Sequence, residues 1–139
     1  MISVKRVEKT DWQLLAKNAH EVVFREAWPD NFERIDYALL TTDAEDKLVQ
    51  YATIRETDAI SAYIQYGGSF PDYRGSVSSY RSFRAIIDHL FEQYKNVSFL
   101  VENTNLPMLK FALKEHFIII GIRNFKNQIM LEHFKTREA

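Results

Sequence analysis

Gly67-Gly68-Ser69-Phe70-Pro71-Asp72-Tyr73-Arg74-Gly75-Ser76-Val77-Ser78-Ser79 is the stretch from which the rest of the chain is read. Three of the protein's 4 glycines lie in it within nine residues, and the remaining one is Gly121. A chain this poor in glycine that gathers it in one place requires unusual backbone geometry there. Before the stretch, Ala59 to Tyr66 carries Ile60, Ala62 and Ile64 in alternation, the pattern of a strand. After it, Tyr80, Phe83, Ile86, Ile87, Leu90, Phe91 and Tyr94 recur at helical spacing and predict a helix over Ser79–Tyr94. Val97 to Val101 is a short apolar strand. Strand, glycine-rich turn, helix and strand together predict a right-handed parallel crossover.

Outward from this unit, Tyr37–Thr42, Leu48–Ile54 and Ala59–Tyr66 read as three strands joined by turns at Asp43–Asp46 and Thr57–Asp58, an antiparallel meander. Ile2–Val7 alternates apolar and polar residues as an edge or half-buried strand does. Thr10-Asp11-Trp12-Gln13 reads as a capping box, followed by a helical stripe of Leu15, Ala19, Val22 and Val23. Trp28 to Arg34 leaves room for one more helical turn. Downstream, Asn105 caps a helix over Leu106–Glu115, since Pro107 is tolerated in a first turn. Phe117–Ile122 and Gln128–Phe134 are the last strands. The 139 residues contain no linker or internal repeat and predict one mixed α/β domain over 1–139, with a mostly antiparallel sheet and one parallel crossover.

Composition narrows the function. Lys and Arg number 18 against 19 Asp and Glu, a net charge of -1. That balance argues against nucleic acid and against a polybasic membrane anchor as partners. Cys 0 excludes a disulfide framework, a thiolate zinc site and a cysteine nucleophile. His20, His89, His116 and His133 are scattered without metal-ligand spacing, so no metal is expected. No apolar run approaches a membrane span, and Met1–Arg6 lacks the apolar core of a signal peptide, so a cytoplasmic location is expected.

Phe70-Pro71-Asp72-Tyr73-Arg74-Gly75 is similar to a strand end followed by the start of the R/Q-x-x-G-x-G/A phosphate loop of the GNAT N-acetyltransferase superfamily. Val101-Glu102-Asn103-Thr104-Asn105, a helix, Phe117 and Gly121 resemble that superfamily's later strand, Asn, helix and Gly-Phe stretch. The resemblance spans nearly the whole chain and implies a GNAT-like fold. It implies acetyl-CoA as co-substrate, with its pyrophosphate on the helix N-terminus and its pantetheine in a gap between two splayed parallel strands. The coenzyme-binding residues would be Ser69, Arg74, Gly75, Ser76, Val77, Ser78, Ser79 and Asn105. The strand end at Gly67, Gly68 and Ser69 would polarise the thioester carbonyl. Tyr80-Arg81-Ser82-Phe83-Arg84, Glu92-Gln93-Tyr94 and Leu109-Lys110-Phe111 are also similar to GNAT-like proteins of tailed bacteriophages, some of them linked to virion assembly.

The chain departs from the superfamily pattern in three places. Val77 stands where the first motif glycine is usual, a β-branched residue disfavoured at positive φ. Ala112 stands where the general-acid tyrosine is frequent, and His116 replaces a glycine before Phe117. These changes keep two functions open: an acyl-CoA-dependent N-acyltransferase acting on a small-molecule or protein amine, and a catalytically degenerate GNAT-fold protein with a structural, assembly or interaction role, such as in a phage virion, with a protein partner or a homo-oligomer.

The candidate residues also have plainer roles. Arg74 reads as a phosphate ligand or a solvated loop arginine, the three serines as hydroxyl donors or helix caps, and Asn105 as an N-cap first. Gly67-Gly68 is expected to mark a β-bulge. Glu56, Asp58, Asp72 and Glu102 are candidate bases for deprotonating an amine, and Tyr63 and Tyr66 candidate proton donors or cleft-wall aromatics. Tyr66 and Glu102 stand as the catalytic candidates. His89 is expected to be partly buried and structural. Trp28, Phe32, Phe70, Tyr73, Phe125 and Phe134 fall at predicted loops or ends and suit an acceptor pocket or a protein interface.

Overall fold

The computed structural model describes residues 1–8, 12–24, 35–125 and 127–137. The elements run β1 (Ser3–Val7), α1 (Trp12–Phe24), β2 (Tyr37–Thr42), β3 (Leu48–Asp58), β4 (Ser61–Ser69), α2 (Val77–Gln93), β5 (Asn96–Glu102), α3 (Leu106–Lys114), β6 (Ile118–Phe125) and β7 (Gln128–Thr136). The capping box at Thr10-Asp11 and the segment from Trp28 to Arg34 lie outside the described residues.

The seven strands form a sheet in the order β1-β2-β3-β4-β5-β7-β6. Every neighbouring pair is antiparallel except β4 and β5, which are parallel and joined through α2, the crossover expected from the sequence. Side-chain alternation sorts β2 between the two faces. Tyr37 and Leu39 enter the core made with Phe83, Ile86 and Leu90 of α2 and Phe111 of α3. Ala38 and Leu40 enter a second cluster with Ala19 and Val23 of α1. Helices therefore cover both faces of the sheet.

Several boundaries differ from the sequence reading. β3 continues to Asp58, and the turn falls at Ala59–Ile60, where Asp58 Oδ1 accepts the Ile60 N–H at 2.9 Å. β4 continues through both glycines to Ser69. Gly67 and Gly68 sit in regular register opposite Ala52 and Tyr51, so they do not mark a bulge. The irregularity lies one step earlier: Thr53 pairs with Tyr66 and Ile54 with Ile64, which leaves Gln65 as the extra residue. The Tyr66 N–H donates to the buried Thr53 Oγ1 at 3.0 Å. Gly68 is needed for packing, because a Cβ there would lie 2.6 Å from Val23 Cγ1. The helix expected from Ser79 starts at Val77, with Ser76 as its N-cap.

Candidate functional site

The bulge at Gln65 coincides with the point where β4 and β5 part. Their parallel pairing runs from Ser61–Asn96 to Ile64–Phe99 and stops. Among the described residues, the β5-facing edge of β4 beyond Ile64 has no strand beside it, while β5 continues along β7 to Glu102. A strand edge of this kind leaves main-chain donors and acceptors available to an extended ligand.

A cleft of about 510 Å³ opens at this end of the sheet. Gly67, Gly68 and Ser69 of β4 line it, with Arg74, Gly75 and Ser76 of the loop, Ser79, Tyr80 and Phe83 of α2, and Asn105, Pro107, Met108 and Phe111 around α3. A smaller cavity of about 220 Å³ adjoins it, sharing Gly67, Phe83, Asn105 and Met108 and adding Gln65 and Glu102.

The loop into α2 is built by its own residues. Pro71–Tyr73 form a 3-10 turn. The Tyr73 hydroxyl donates to Asp43 Oδ2 at 2.6 Å, which pins the loop to the β2–β3 turn. That hydrogen bond pushes the Tyr73 phenol up to about 12 and lowers the Asp43 carboxyl. Gly75 takes φ +72°, the left-handed conformation that favours glycine, and nothing lies within 4 Å of a Cβ placed there. The Ser76 hydroxyl accepts the Ser79 N–H at 3.0 Å and donates to the Tyr73 carbonyl at 2.5 Å. Val77, the first residue of α2, is 67% exposed and is not among the residues with positive φ. The steric objection to valine therefore does not apply, since the positive φ falls on Gly75. The N–H groups of Val77 and Ser78 have no partner among the described residues.

Six of the residues expected to hold a coenzyme line this cleft: Ser69, Arg74, Gly75, Ser76, Ser79 and Asn105. The hydroxyls of Ser69 and Ser79 hydrogen-bond each other across the β4–α2 gap. Arg74 donates to the Val23 carbonyl through Nη2 and to the Ser69 carbonyl through Nε at 3.4 Å, so it ties the last turn of α1 to the end of β4. Asn105 caps α3, its Oδ1 accepting the Met108 N–H at 3.3 Å. Ser78 faces elsewhere, lining a cavity with Met1, Asp43 and Arg81.

The candidate acids and bases are dispersed. Glu102 lines the adjoining cavity. Glu56 and Asp58 lie toward the far end of β3 from Gln50, about 20 Å or more away at strand spacing. Asp72 is exposed in the 3-10 turn. Tyr66 packs its ring against His20 and Phe24 of α1, with centroids at 5.0 and 5.7 Å. Burial raises the Tyr63 phenol. Ala112 is fully buried in the core. His116 takes φ +66° just past α3 and its N–H donates to the Leu113 carbonyl at 3.2 Å, a capping role. His89 is half-buried. Among the described residues, no group of three or more His, Asp or Glu is placed to hold a metal ion, and no helix is long and apolar enough to cross a membrane.

The sequence reading missed Gln50 and Tyr80. Gln50 lines the cleft opposite Ser69 in the β3–β4 register, is 3% exposed, and its Oε1 has no hydrogen-bond partner among the described residues. Its signal was a lone uncharged amide inside Leu48-Val49-Gln50-Tyr51-Ala52-Thr53-Ile54. Tyr80 reads as core by its spacing, yet it lines the cleft and donates to Glu115 Oε2 at 2.5 Å, a hydrogen bond that raises its phenol. Of the loop-end aromatics, Phe70 packs on the α1 cluster and Tyr73 binds Asp43. Trp28, Phe32 and the side chain of Phe125 lie outside the described residues.

No protein-family model matches the sequence, and no curated protein matches it. Solved structures do match in three dimensions. The ribosomal-protein-S18-alanine N-acetyltransferase from Escherichia coli superposes with a TM-score of 0.75 at 15% identity, over 98% of this chain and 94% of that one. Naa50 of Arabidopsis thaliana, in complex with the bisubstrate analogue CoA-Ac-MVNAL, gives 0.72 at 18% identity over 98% and 99%. The spermidine N-acetyltransferase from Vibrio cholerae, in complex with CoA and spermine, gives 0.72 at 13% identity over 97% and 95%. Identities this low speak to architecture alone, and the architecture is unambiguous: seven strands, the β4–β5 splay and the α2 crossover give this chain the GNAT N-acetyltransferase fold.

Proposed function

We propose that the protein is an acyl-CoA-dependent N-acyltransferase that moves an acetyl group to an amine. The observation that carries this reading is the convergence of the parted β4 edge, the open α2 N-terminus and the buried, unpartnered Gln50 Oε1 on one cleft. Neighbours of the same fold have been solved with CoA or a CoA-containing analogue bound.

The residues present fit such a co-substrate. Val77 and Ser78 do not themselves line the cleft, but their unpaired N–H groups lie in the first turn of α2, between Ser76 and Ser79, which do; at the positive end of the α2 dipole they suit a pyrophosphate. Gly75 leaves open space beside them for the phosphate oxygens. The unpaired edge of β4 suits the amides of a pantetheine arm, and Gln50 Oε1 offers one more acceptor within the cleft. Acetyl-CoA supplies an activated thioester. The β4 main chain orients its carbonyl and withdraws electron density from it. Glu102, in the adjoining cavity, accepts the proton that the acceptor amine loses on attack. Ala112 contributes no hydroxyl, so the proton taken up by the departing thiolate comes from another source, water included.

Val77→Pro tests the phosphate reading with little structural disturbance. Proline is favoured at the first helical position, and Ser76, at φ -91° and ψ 164°, already has the extended backbone that a following proline requires. The substitution removes one free N–H and leaves the helix intact. Titration calorimetry should show acetyl-CoA affinity falling by about tenfold, the worth of one charge-assisted hydrogen bond, while thermal stability without ligand holds or rises. Unchanged affinity would place the phosphates elsewhere.

A further inference from the structure

Gln65 is the extra residue of the β3–β4 bulge, at the point where β4 and β5 part. A bulge re-aims the side chain it carries, and bulges gather beside active sites for that reason. The half-buried Gln65 lines the cavity of about 220 Å³ that adjoins the acyl-CoA cleft. Its Oε1 is shut off from solvent and has no hydrogen-bond partner among the described residues. A buried amide oxygen is rarely left unmatched. The other polar side chains on the cavity are Glu102 and Asn105, and Asn105 Oδ1 is already engaged by the Met108 N–H. Among the described residues no Lys, Arg or His lines the cavity, while Leu100, Met108 and Met130 give it apolar wall. Arg123, opposite Met130 in the β6–β7 register, is held by Glu132 at 3.1 Å.

We propose that this cavity takes a monocationic primary alkylamine and that Gln65 sets that choice. The inference rests on the acyltransferase reading and names the acceptor within it. The amide oxygen of Gln65 and the carboxylate of Glu102 are both hydrogen-bond acceptors, so they match the N–H groups of an alkylammonium whose stem lies along Leu100, Met108 and Met130. The terminal amide of a glutamine turns about a soft torsion, which brings Oε1 to an incoming N–H. Glu102 takes one proton from the ammonium while Gln65 holds a second N–H, and the freed lone pair forms the bond to the acetyl carbon. Nitrogen sheds a further proton as the carbon–sulfur bond breaks, the thiolate takes one up, and Glu102 returns its own to solvent. One ammonium and one thioester thus become one amide, one thiol and one released proton. The same set of residues excludes close relatives of this amine. A carboxylate on the amine-bearing carbon would face Glu102 with no free cation to receive it. A second ammonium at the far end of the stem would lie against apolar wall without a counter-charge. The volume is below the roughly 300 Å³ at which drug-sized pockets begin, which limits the stem to a few carbons.

The test uses the full chain and three probes built on one four-carbon amine: n-butylamine, norvaline, which adds a carboxylate, and putrescine, which adds a second ammonium. Titration calorimetry with acetyl-CoA comes first, because absence of binding removes the acyltransferase reading itself and this proposal with it. Where acetyl-CoA binds, n-butylamine titrated into the CoA complex should shift the NMR signals of Gln65, Leu100 and Glu102. Its kcat/KM, followed by thiol release, should exceed those of norvaline and putrescine by about tenfold or more. Gln65→Met keeps the side-chain length and removes the oxygen. It should weaken n-butylamine binding by about tenfold and leave acetyl-CoA affinity within about twofold. Gln65→Glu restores an acceptor oxygen and should recover amine binding, an order that a merely structural role would not produce. The three-amine comparison on the wild type carries the test if far-UV circular dichroism shows that a variant does not fold. Acetyl-CoA binding with no n-butylamine shift overturns the proposal and leaves the coenzyme cleft standing. So does equal or better use of norvaline or putrescine, or a folded Gln65→Met protein that binds n-butylamine as the wild type does.

Discussion

Gly68→Ala probes how α1 is seated on the sheet beside the cleft. A Cβ at position 68 would stand 2.6 Å from Val23 Cγ1 and 3.3 Å from Phe24 Cζ. Carbon atoms in contact rest about 3.5–4.0 Å apart, so the last turn of α1 must retreat by about 1 Å. Val23 has little freedom to turn away, since a β-branched residue in a helix is held to one rotamer. Its carbonyl is also tied to Arg74 Nη2. Overpacking of this kind costs about 1–3 kcal/mol, which for a domain of this size lowers the melting temperature by about 4–12 °C. Thermal and urea unfolding of four proteins give the decisive comparison: wild type, Gly68→Ala, Val23→Ala and the double variant. Val23 is buried, and Val23→Ala alone should cost about 1–2.5 kcal/mol through the space it leaves. The pair should be less destabilised than the sum of the singles by about 1 kcal/mol or more, because the new methyl fills that space. A Gly68→Ala protein that melts with the wild type, or a strictly additive pair, would refute the close approach of α1 as the reason for this glycine.

Three further outcomes follow from individual contacts. Thr53→Val keeps the side-chain shape and removes the acceptor of the Tyr66 N–H, so it should cost about 1–2 kcal/mol in urea unfolding and weaken acetyl-CoA binding through the bulge. His116 sits at φ +66° in a Schellman turn in which the Phe117 N–H bonds the Ala112 carbonyl at 2.9 Å; His116→Gly should therefore stabilise the fold by about 0.5–1 kcal/mol in thermal melts. His133 is 3% exposed, stacks on Phe99 at 5.4 Å between centroids, and has its pKa lowered below 6.5 by burial. The unfolded chain then takes a proton that the native chain refuses, so this residue's contribution is present above pH 6.5 and lost as pH falls below it. Stability of the wild type should drop more steeply than that of His133→Phe between pH 6.5 and about pH 5, and parallel curves would contradict the assignment.

The parts of the fold legible in the sequence were those with a periodic side-chain pattern. Tyr37–Thr42 matches β2 to the residue, and the stripe from Tyr80 to Tyr94 identified α2 and with it the parallel crossover. The bulge at Gln65 left no such mark, because one extra residue between Ile64 and Tyr66 looks in sequence like continued strand. Gly67 and Gly68 signalled a special place but not its cause, since the demand on Gly68 comes from Val23, 45 residues earlier in the chain. Val77 looked like a defect only while the left-handed residue was placed there; Ser76 as N-cap moves it to Gly75. The loop residues that line the cleft were thus legible. Gln50 was not, because nothing local says that a strand amide ends without a partner. Nor does an isoleucine run reveal whether it lies in a sheet's centre or at its edge. For Ile118–Ile122 that depends on β7 inserting between β5 and β6.

The central claim is that the cleft between β4, α2 and α3 binds an acyl-coenzyme A. Its most direct test is the melting temperature of the wild-type protein against acetyl-CoA concentration, with adenosine and free phosphate as controls. If the claim holds, the melting temperature climbs with the logarithm of acetyl-CoA, gaining about 2.7 kcal/mol of stability at a hundredfold excess over the dissociation constant, or roughly 10 °C. Val77→Pro should shift that curve to higher concentration. A flat curve up to millimolar acetyl-CoA would contradict the claim.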